Sequence, residues 1–365
     1  MKIAFMIRNM DERGGINVYT LNLIENILML DNETKFLLVY NHQKFLGHFS
    51  KYENVREIAM RSPSKLVWDQ ILIPYILWKK KVDVVFNPKL SIPILSNAKK
   101  VLMIHGAEQF AVKKAFKWYD RLYYQIAMPL YGRFSDKILT TTKLGINDLS
   151  RYIGIVKSKF TFVHEGVHKR FKILDQEKNE AVKIKYDLPD RFILFVGGLT
   201  PLKNFGRAAK AFDILSEKYG HSMVVTGFKK FKFKSDMLIA QNVKNVERIK
   251  FCGFIPDEDL PAFYNLADVF VFPSLYEGFG LPVLEAMACG CPVVTSSVGC
   301  TKEVTGNAAL LVNPYDEKDI AEKIQKILDD SAFKDVLVNK GLIRVKQFSW
   351  EKCAKETLNV LNSLY

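Results

Sequence analysis

The chain has no apolar run approaching the roughly 18 residues needed to span a bilayer, which excludes an integral helical membrane protein as the reading of its sequence. Its N-terminal burst, Lys2-Ile3-Ala4-Phe5-Met6-Ile7, lacks cleavage-type small residues and soon meets Asp11, Glu12 and Arg13. It therefore reads as a first strand and not as a signal peptide, with a cytoplasmic location as the expectation. Cysteine is scarce. Cys252, Cys289, Cys291, Cys300 and Cys353 are odd in number and form no Cys-x-x-Cys pair, so a disulfide framework and a zinc ribbon are both excluded in favour of buried thiols. Low-complexity tracts and evident internal repeats are missing too. The first half is also short of acid: residues 1–170 carry 27 Lys/Arg against 14 Asp/Glu, whereas residues 171–365 carry 26 against 25. Nearly all of the +14 net charge therefore belongs to one half, which suggests that this half meets an anionic surface or acceptor.

What remains is a globular composition, 48% apolar and 25% charged, over 365 residues, enough for two domains. Two α/β passes follow one another. Short Val/Ile/Phe-rich runs at Lys2–Ile7, Phe36–Tyr40, Val82–Phe86, Val101–His105, Ile138–Thr142 and Phe160–His164 predict strands. Gly15–Leu30 predicts a helix through its apolar face at Val18, Leu21, Leu23, Ile24, Ile27 and Leu28. The pattern restarts with strands at Phe192–Val196, Met223–Thr226, Ile249–Cys252, Val269–Phe272, Val293–Ser296 and Leu310–Val312. Helices are predicted between them at 204–218, 257–266, 282–289 and 316–328. Non-alternating apolar strands suit parallel sheets covered on both faces, so the expected class is α/β with two doubly wound, Rossmann-like domains. The junction falls in the polar stretch 171–188, before Pro189, giving domains 1–170 and 171–349.

Ligands of such sheets sit beyond the carboxyl ends of the strands, and three glycine turns fall there. Arg13-Gly14-Gly15 opens the first helix, as an anion site or a plain tight turn. Gly197-Gly198-Leu199-Thr200-Pro201-Leu202-Lys203 follows a strand and presents Lys203 as a point charge suited to a diphosphate, or as a solvated lysine. The third turn runs from Phe272 to Pro292. Glu277-Gly278-Phe279-Gly280-Leu281 leads into a helix with Pro282 as its expected first residue, Glu285 one turn in, and Gly290 as its cap. Backbone amides from Gly278 to Leu281 at a helix N-terminus would cradle an anion or sugar hydroxyls, flanked by the two carboxylates.

The Glu277-to-Glu285 segment, with the following Ala-Met-Ala-Cys-Gly-Cys-Pro, resembles the E-x7-E motif of glycosyltransferase family 4, the retaining GT-B enzymes (glycosyl transferases group 1). The resemblance extends from Arg13-Gly14-Gly15 to Phe348-Ser349-Trp350. It implies a GT-B fold, with an acceptor-binding first domain and a donor-binding second domain facing across a cleft that holds the donor. The last helix, 350–365, would return to the first domain. It further implies that Lys203 contacts the diphosphate, that amides of Phe279, Gly280 and Leu281 hold phosphate and sugar, that Glu277 meets the donor sugar near the reacting carbon, and that Glu285 meets the ribose. Phe254 and Ile255 would flank the nucleobase, Gly14 and Gly15 would close over the phosphates, and His105 would reach the sugar. Two departures stand out: Gly198 occupies a position where the family often has Arg, and Gly106 follows His105 where Asp is frequent.

The function implied is transfer of a hexose from a GDP-mannose or UDP-hexose type donor to a lipid-linked or glycan acceptor, in cell-surface polysaccharide or glycolipid synthesis, with no metal or other cofactor. Asp257-Glu258-Asp259 resembles a metal-binding DxD sequence, but its place before Leu260-Pro261 reads as helix capping. A nucleotide-sugar hydrolase or epimerase, or a non-catalytic nucleotide-sugar-binding protein, is the alternative on the same scaffold. The stretch 109–130 reads as one helix with Val112, Phe116, Tyr119, Tyr123, Ile126 and Leu130 on one face and Lys113, Lys117 and Arg121 on another. It is either a helix packed on its own domain or a peripheral contact with an anionic membrane face. A second basic run, Lys229–Lys234, reads as a solvated loop, and no recognised fold or stacking platform for nucleic acid is present.

Overall fold

In the second half of the chain the run Phe192–Val196 is apolar at every position and every one of its residues is buried, as a strand covered on both faces requires. The computed structural model describes residues 1–8, 10, 14–227 and 243–365, so Arg13 and the Lys229–Lys234 run lie outside the described residues. Two compact units result: residues 1–110, 116–166 and 349–365, and residues 111–115 and 167–348. Their borders stand at 166/167 and 348/349, against the 170/171 and 349/350 read from the sequence.

The first unit is built on β1 (Lys2–Ile7), β2 (Lys35–Tyr40), β3 (Val55–Ala59), β4 (Val84–Asn87), β5 (Lys99–Ile104), β6 (Lys137–Thr140) and β7 (Phe160–Phe162). These strands are parallel and ordered β3-β2-β1-β4-β5-β6-β7. Strand order reverses between β1 and β4, the place where doubly wound sheets open a ligand crevice. One face of the sheet is covered by Trp68, Ile73, Ile76 and Leu77, packed with Ala4, Met6, Leu37, Val39 and Val85. The helix Gly15–Leu30 forms over the residues its periodicity predicts. It packs against the final helix, Trp350–Asn362, with the Tyr19 and Trp350 rings 6.0 Å apart, so the chain's last element returns to the unit in which it began.

The second unit carries β8 (Phe192–Val196), β9 (Ser222–Thr226), β10 (Ile249–Gly253), β11 (Val269–Phe272), β12 (Val293–Ser296) and β13 (Leu310–Val312), again parallel, in the order β10-β9-β8-β11-β12-β13. The doubly wound α/β class read from the sequence is thus found twice. Pairing of Phe192 with Ser222 through Val196 with Thr226 brings Gly197 and Gly227 side by side at the carboxyl ends of β8 and β9.

Three local expectations are corrected. β3, Val-Arg-Glu-Ile-Ala, was absent from the predicted strands: it is a half-buried edge strand with too much polar sequence to stand out. The predicted helix over 109–130 is not continuous. A short helix, Glu108–Ala111, and a tight turn, Lys113–Ala115, precede a helix running Trp118–Phe134. The helix expected from Asp257 begins only at Leu260.

Gly166 fixes the final helix. A Cβ at this position would collide with the backbone nitrogen of Trp350. Gly166→Ala is expected to lower stability by about 2 kcal/mol, as overpacking does, measured as the urea midpoint; an unchanged midpoint would show that the contact is not tight.

Candidate functional site

The E-x7-E segment forms a turn and a helix at the carboxyl end of β11. The helix spans Leu281–Ala288, so Pro282 is its second residue and not its first. Gly280 precedes it at φ +95, a backbone conformation that suits glycine, and its carbonyl accepts from the Val283 amide at 2.9 Å. The helix stops at Cys289, followed by Gly290 at φ +71. The amides of Gly280 and Leu281 belong to the first turn, where no intrahelical acceptor exists. Gly278 and Phe279 make contacts within the protein. The turn itself is clamped from outside: the Cys300 amide donates to the Glu277 carbonyl at 3.2 Å, and a Cβ on Gly299 would press on the Glu277 backbone at 3.1 Å.

Glu277 and Lys203, distant in sequence, meet here. Lys203 Nζ stands 2.7 Å from Glu277 Oε1 and 4.6 Å from the centre of the Phe272 ring. Lys203 ends the turn Pro201–Lys203 after β8, and the following Asn204 takes φ +58. Asn204 is buried and its Nδ2 donates to the carbonyls of Pro273 (2.9 Å) and Pro314 (2.6 Å), while the Leu275 amide donates to the Leu202 carbonyl at 2.7 Å. The lysine turn and the glutamate turn are therefore held to one another by backbone-directed bonds, and the ion pair is positioned by that framework. Behind it, Gly197 and Gly227 are in backbone contact: a Cβ on Gly227 would collide with the Gly197 carbonyl. Gly198 lies partly exposed beside this contact, with its carbonyl accepting from the Thr200 amide at 2.8 Å.

Glu285 shares this electrostatic environment. Burial of its carboxyl pushes it up to about 7; the Tyr264 hydroxyl donating to Oε2 at 3.0 Å opposes the rise, the Asp257 charge adds to it, and Arg170 and Lys203 pull it back. Part of the Glu285 surface remains accessible even though the carboxyl is desolvated. Phe254 and Ile255 follow β10; Phe254 is exposed and Ile255 is buried.

The sequence reading missed Asn204, Tyr264 and Arg170 here. Asn204 had a usable signal, because Asn is enriched among residues with positive φ. Tyr264 and Arg170 had none, since their partners are distant in the chain. The capping role read for Asp257-Glu258-Asp259 is corrected. Asp259 sits before the helix without a side-chain cap and instead accepts from Lys185 Nζ (2.7 Å) and the Tyr186 hydroxyl (2.6 Å), while Asp257 pairs with Arg170 at 2.9 Å.

In the first unit, Gly14 (φ +134) precedes the helix Gly15–Leu30, both glycines are exposed, and neither would place an added Cβ within 4 Å of another atom. His105 follows β5 with both ring nitrogens engaged: Nδ1 is 3.1 Å from Glu165 Oε1 and Nε2 is 3.0 Å from the Pro88 carbonyl. Its ring meets the Tyr19 ring edge-on at 4.7 Å.

Two doubly wound units with a lysine-glutamate pair at a helix N-terminus define a class, the GT-B proteins. Solved structures agree on the fold. A glycosyltransferase from Rickettsia africae superposes with a TM-score of 0.79 at 20% identity, covering 100% of this chain and 98% of that one. Anabaena Alr3699/HepE, in complex with UDP and glucose, superposes with a TM-score of 0.80 at 17% identity over 100% of both chains. Residues 176–342 match the model of glycosyl transferases group 1. Among curated relatives, O-antigen chain mannosyltransferase B of Escherichia coli is 38% identical over 186 residues, 49% of this chain and 48% of that protein. The serotype-specific mannosyltransferase WbdA of the same organism is 33% identical over 226 residues, 60% of this chain and 28% of that protein. These alignments span about half or less of the relatives' length. An uncharacterized glycosyltransferase of Methanocaldococcus jannaschii aligns over 96% of this chain and 95% of its own at 26% identity.

The raised Glu285 carboxyl gives the fold a pH signature. Below the ordinary value of 4.5 both folded and unfolded chains hold the proton; from there to about 7 only the folded chain does, so stability falls as pH rises and levels off above. Glu285→Gln keeps an acceptor for Tyr264 and removes this dependence. Relative to wild type, the variant is expected to gain on the order of 2 kcal/mol across that window in urea titrations at successive pH values. A difference that does not change with pH would contradict the assignment.

Proposed function

We propose that the protein is a retaining, metal-independent glycosyltransferase. It moves a hexose from a GDP-mannose or UDP-hexose type donor to a lipid-linked or glycan acceptor in cell-surface polysaccharide synthesis. The observation that carries this reading is the Lys203–Glu277 pair, 2.7 Å apart, set at the start of the helix Leu281–Ala288 with Glu285 in the same field. Kinship to E. coli O-antigen mannosyltransferases supports mannose as the sugar.

In this reaction the bond from the sugar's C1 to the phosphate oxygen breaks, and its electron pair leaves with the nucleoside diphosphate. The acceptor oxygen bonds to C1 on the face that the phosphate leaves, and its proton passes to that phosphate. Negative charge grows on the leaving group, where Lys203 and the helix N-terminus stabilise it in place of a metal ion. The backbone of Gly278, Phe279, Gly280 and Leu281 lines the phosphate and sugar, and Gly198 lets the phosphate approach a side-chain-free backbone. Glu277 orients the sugar hydroxyls. Glu285, with Oε2 committed to Tyr264, meets the ribose through Oε1. Phe254 and Ile255 flank the base by backbone contacts. Gly14 and Gly15 leave room for phosphate at the first helix, and His105, oriented by Glu165, exchanges the Pro88 carbonyl for a sugar hydroxyl.

The protein also meets an anionic membrane face. Among the described residues no helix is long and apolar enough to cross a membrane. However, the helix Trp118–Phe134 exposes Trp118, Leu122, Ile126, Leu130 and Phe134 at four-residue spacing, with Lys117, Arg121 and Arg133 on the same helix or at its start. Lys65 Nζ reaches the Tyr123 hydroxyl at 3.3 Å, and the segment that follows Lys65 exposes Leu66, Ile71, Tyr75 and Trp78, the last at 75%. Apolar stripes of this kind beside lysines suit an interface rich in anionic lipid.

Two experiments test these readings. In a thermal-shift panel of UDP-, GDP- and ADP-sugars, at least one donor should raise the melting temperature. Lys203→Met should then weaken nucleoside diphosphate binding roughly tenfold, about the loss of one charged contact. Glu277→Gln should bind it at least as tightly as wild type yet lose transfer by about a hundredfold or more; unchanged turnover would remove Glu277 from the site, and donor consumption without any acceptor would favour a hydrolase. For the membrane reading, the protein should co-sediment with phosphatidylglycerol vesicles and not with phosphatidylcholine ones. Leu122→Glu combined with Ile126→Glu should abolish that binding, and equal sedimentation of wild type and variant would contradict it.

A further inference from the structure

Glu285 does not stand alone: two oppositely charged side chains share its surroundings. After burial and the Tyr264 hydrogen bond, the charges of Asp257 and Arg170 are the next influences on its carboxyl, the first raising it and the second lowering it. They are also joined to one another, with Arg170 Nη1 donating to Asp257 Oδ2 at 2.9 Å. Two stretches of chain 87 positions apart meet in that bond, and no motif announces it.

The pair is held from both sides. Arg170 is aimed by His168, whose Nδ1 accepts from the Arg170 amide at 3.1 Å and from Arg170 Nε at 3.0 Å. Next in the chain, the Phe171 ring meets the Tyr264 ring edge-on with centroids 6.1 Å apart, and the Tyr264 hydroxyl donates to Glu285. Asp257 is fixed through its own backbone. It follows the buried Ile255 after β10, and the Pro256 carbonyl accepts from the amides of Asp259 and Leu260, both at 3.1 Å, which closes the turn into the helix Leu260–Leu266.

The pair nevertheless faces solvent: the Arg170 side chain is 35% exposed and that of Asp257 62%. An exposed ion pair contributes little to folding, so stability alone does not account for this scaffolding. Among the described residues Arg170 Nη2 and Asp257 Oδ1 have no hydrogen-bond partner. One donor and one acceptor therefore stand free, side by side, on a fixed frame.

On the proposed binding mode the ribose meets Glu285 and the base lies along Phe254 and Ile255, so Asp257 and Arg170 border the outer edge of the base. The bases differ there. Guanine presents one acceptor, O6, and two adjacent donors, N1–H and the 2-amino group. The two carboxylate oxygens match the two donors, and the guanidinium matches O6. Uracil has a single donor, N3–H, between two carbonyl oxygens, and adenine has an unprotonated N1 beside its amino group; either sets a lone pair against the carboxylate. Each carboxylate oxygen has two acceptor sites, so Oδ2 keeps Arg170 while it accepts from a base.

We propose that Asp257 selects guanine as the base of the donor: its carboxylate accepts from N1–H and the 2-amino group, and Arg170, held by His168, donates to O6. The inference rests on the glycosyltransferase reading and narrows its donor to a guanosine diphosphate sugar. Backbone contacts from Phe254 and Ile255 hold a base of any kind; the ion pair adds the choice among them. Asp257 is a specificity residue, remote from the reacting carbon, and Arg170 both meets the base and positions Asp257.

Calorimetric titration of the full chain with four nucleoside diphosphates tests this. GDP should bind about tenfold or more tightly than UDP, and roughly threefold more tightly than inosine diphosphate, which lacks only the 2-amino group. Asp257→Asn should lose about tenfold in GDP affinity and gain roughly fivefold for xanthosine diphosphate, whose 2-carbonyl accepts from the side-chain amide where the guanine amino group cannot. A purely structural role for Asp257 would lower both affinities together. Arg170→Met should weaken GDP roughly fivefold. UDP bound as tightly as GDP by the wild type, or an unchanged ratio of GDP to xanthosine diphosphate affinity in Asp257→Asn, would overturn the proposal. Absence of binding by all four ligands would instead strike the glycosyltransferase reading itself.

Discussion

One lysine ammonium cannot give its full attraction to a carboxylate and to a diphosphate at the same moment. Lys203 rests 2.7 Å from Glu277, partly withdrawn from water on both sides, where an ion pair is stronger than at the open surface and a lone charge costs more. Without ligand the pair keeps each charge compensated. In the proposed reaction an arriving diphosphate would give the lysine a doubly charged partner and release the glutamate toward hydroxyl groups that can donate to it. On that proposal, the same pairing that stabilises the resting site prepares both groups for separate work. It would also account for a carboxylate standing next to a turn proposed to bind an anion, an arrangement that would otherwise repel the ligand.

That exchange is useful only if neither turn moves far while it occurs. The second unit meets this need with backbone-directed contacts and not with further charges. Asn204 ties the lysine turn to the carbonyls of Pro273 and Pro314; Gly299 and Cys300 hold the Glu277 turn from the other side; Gly197 and Gly227 let two strand ends come into contact. Glu285, eight positions from Glu277, is set apart by burial, which pushes its carboxyl up to about 7 while the Tyr264 hydroxyl opposes the rise. The arrangement follows a general rule for preorganised sites, in which the groups that meet the ligand are locked by groups that do not.

Much of this was legible in the sequence, for reasons that differ by element. The strands of both sheets are buried on two faces and so read as plain apolar runs; β8 and β11 were delimited to the residue. The helix Gly15–Leu30 declared itself through its period. The two glutamates and Lys203 were visible because they flank glycine turns at strand ends. The edge strand β3 was hidden by its polar residues, and the break before Trp118 by an apolar spacing that continued across it. The pairing of Lys203 with Glu277 could not be read at all, since 74 positions separate them and only the β8–β11 adjacency brings them together.

The most direct test of the central claim is a crystal structure of the protein with a nucleoside diphosphate bound. The account predicts that Lys203 Nζ leaves Glu277 and lies about 2.8 Å from a phosphate oxygen, with the turns at Asn204 and Gly280 unmoved. A diphosphate bound elsewhere, with the Lys203–Glu277 pair still closed, would contradict it.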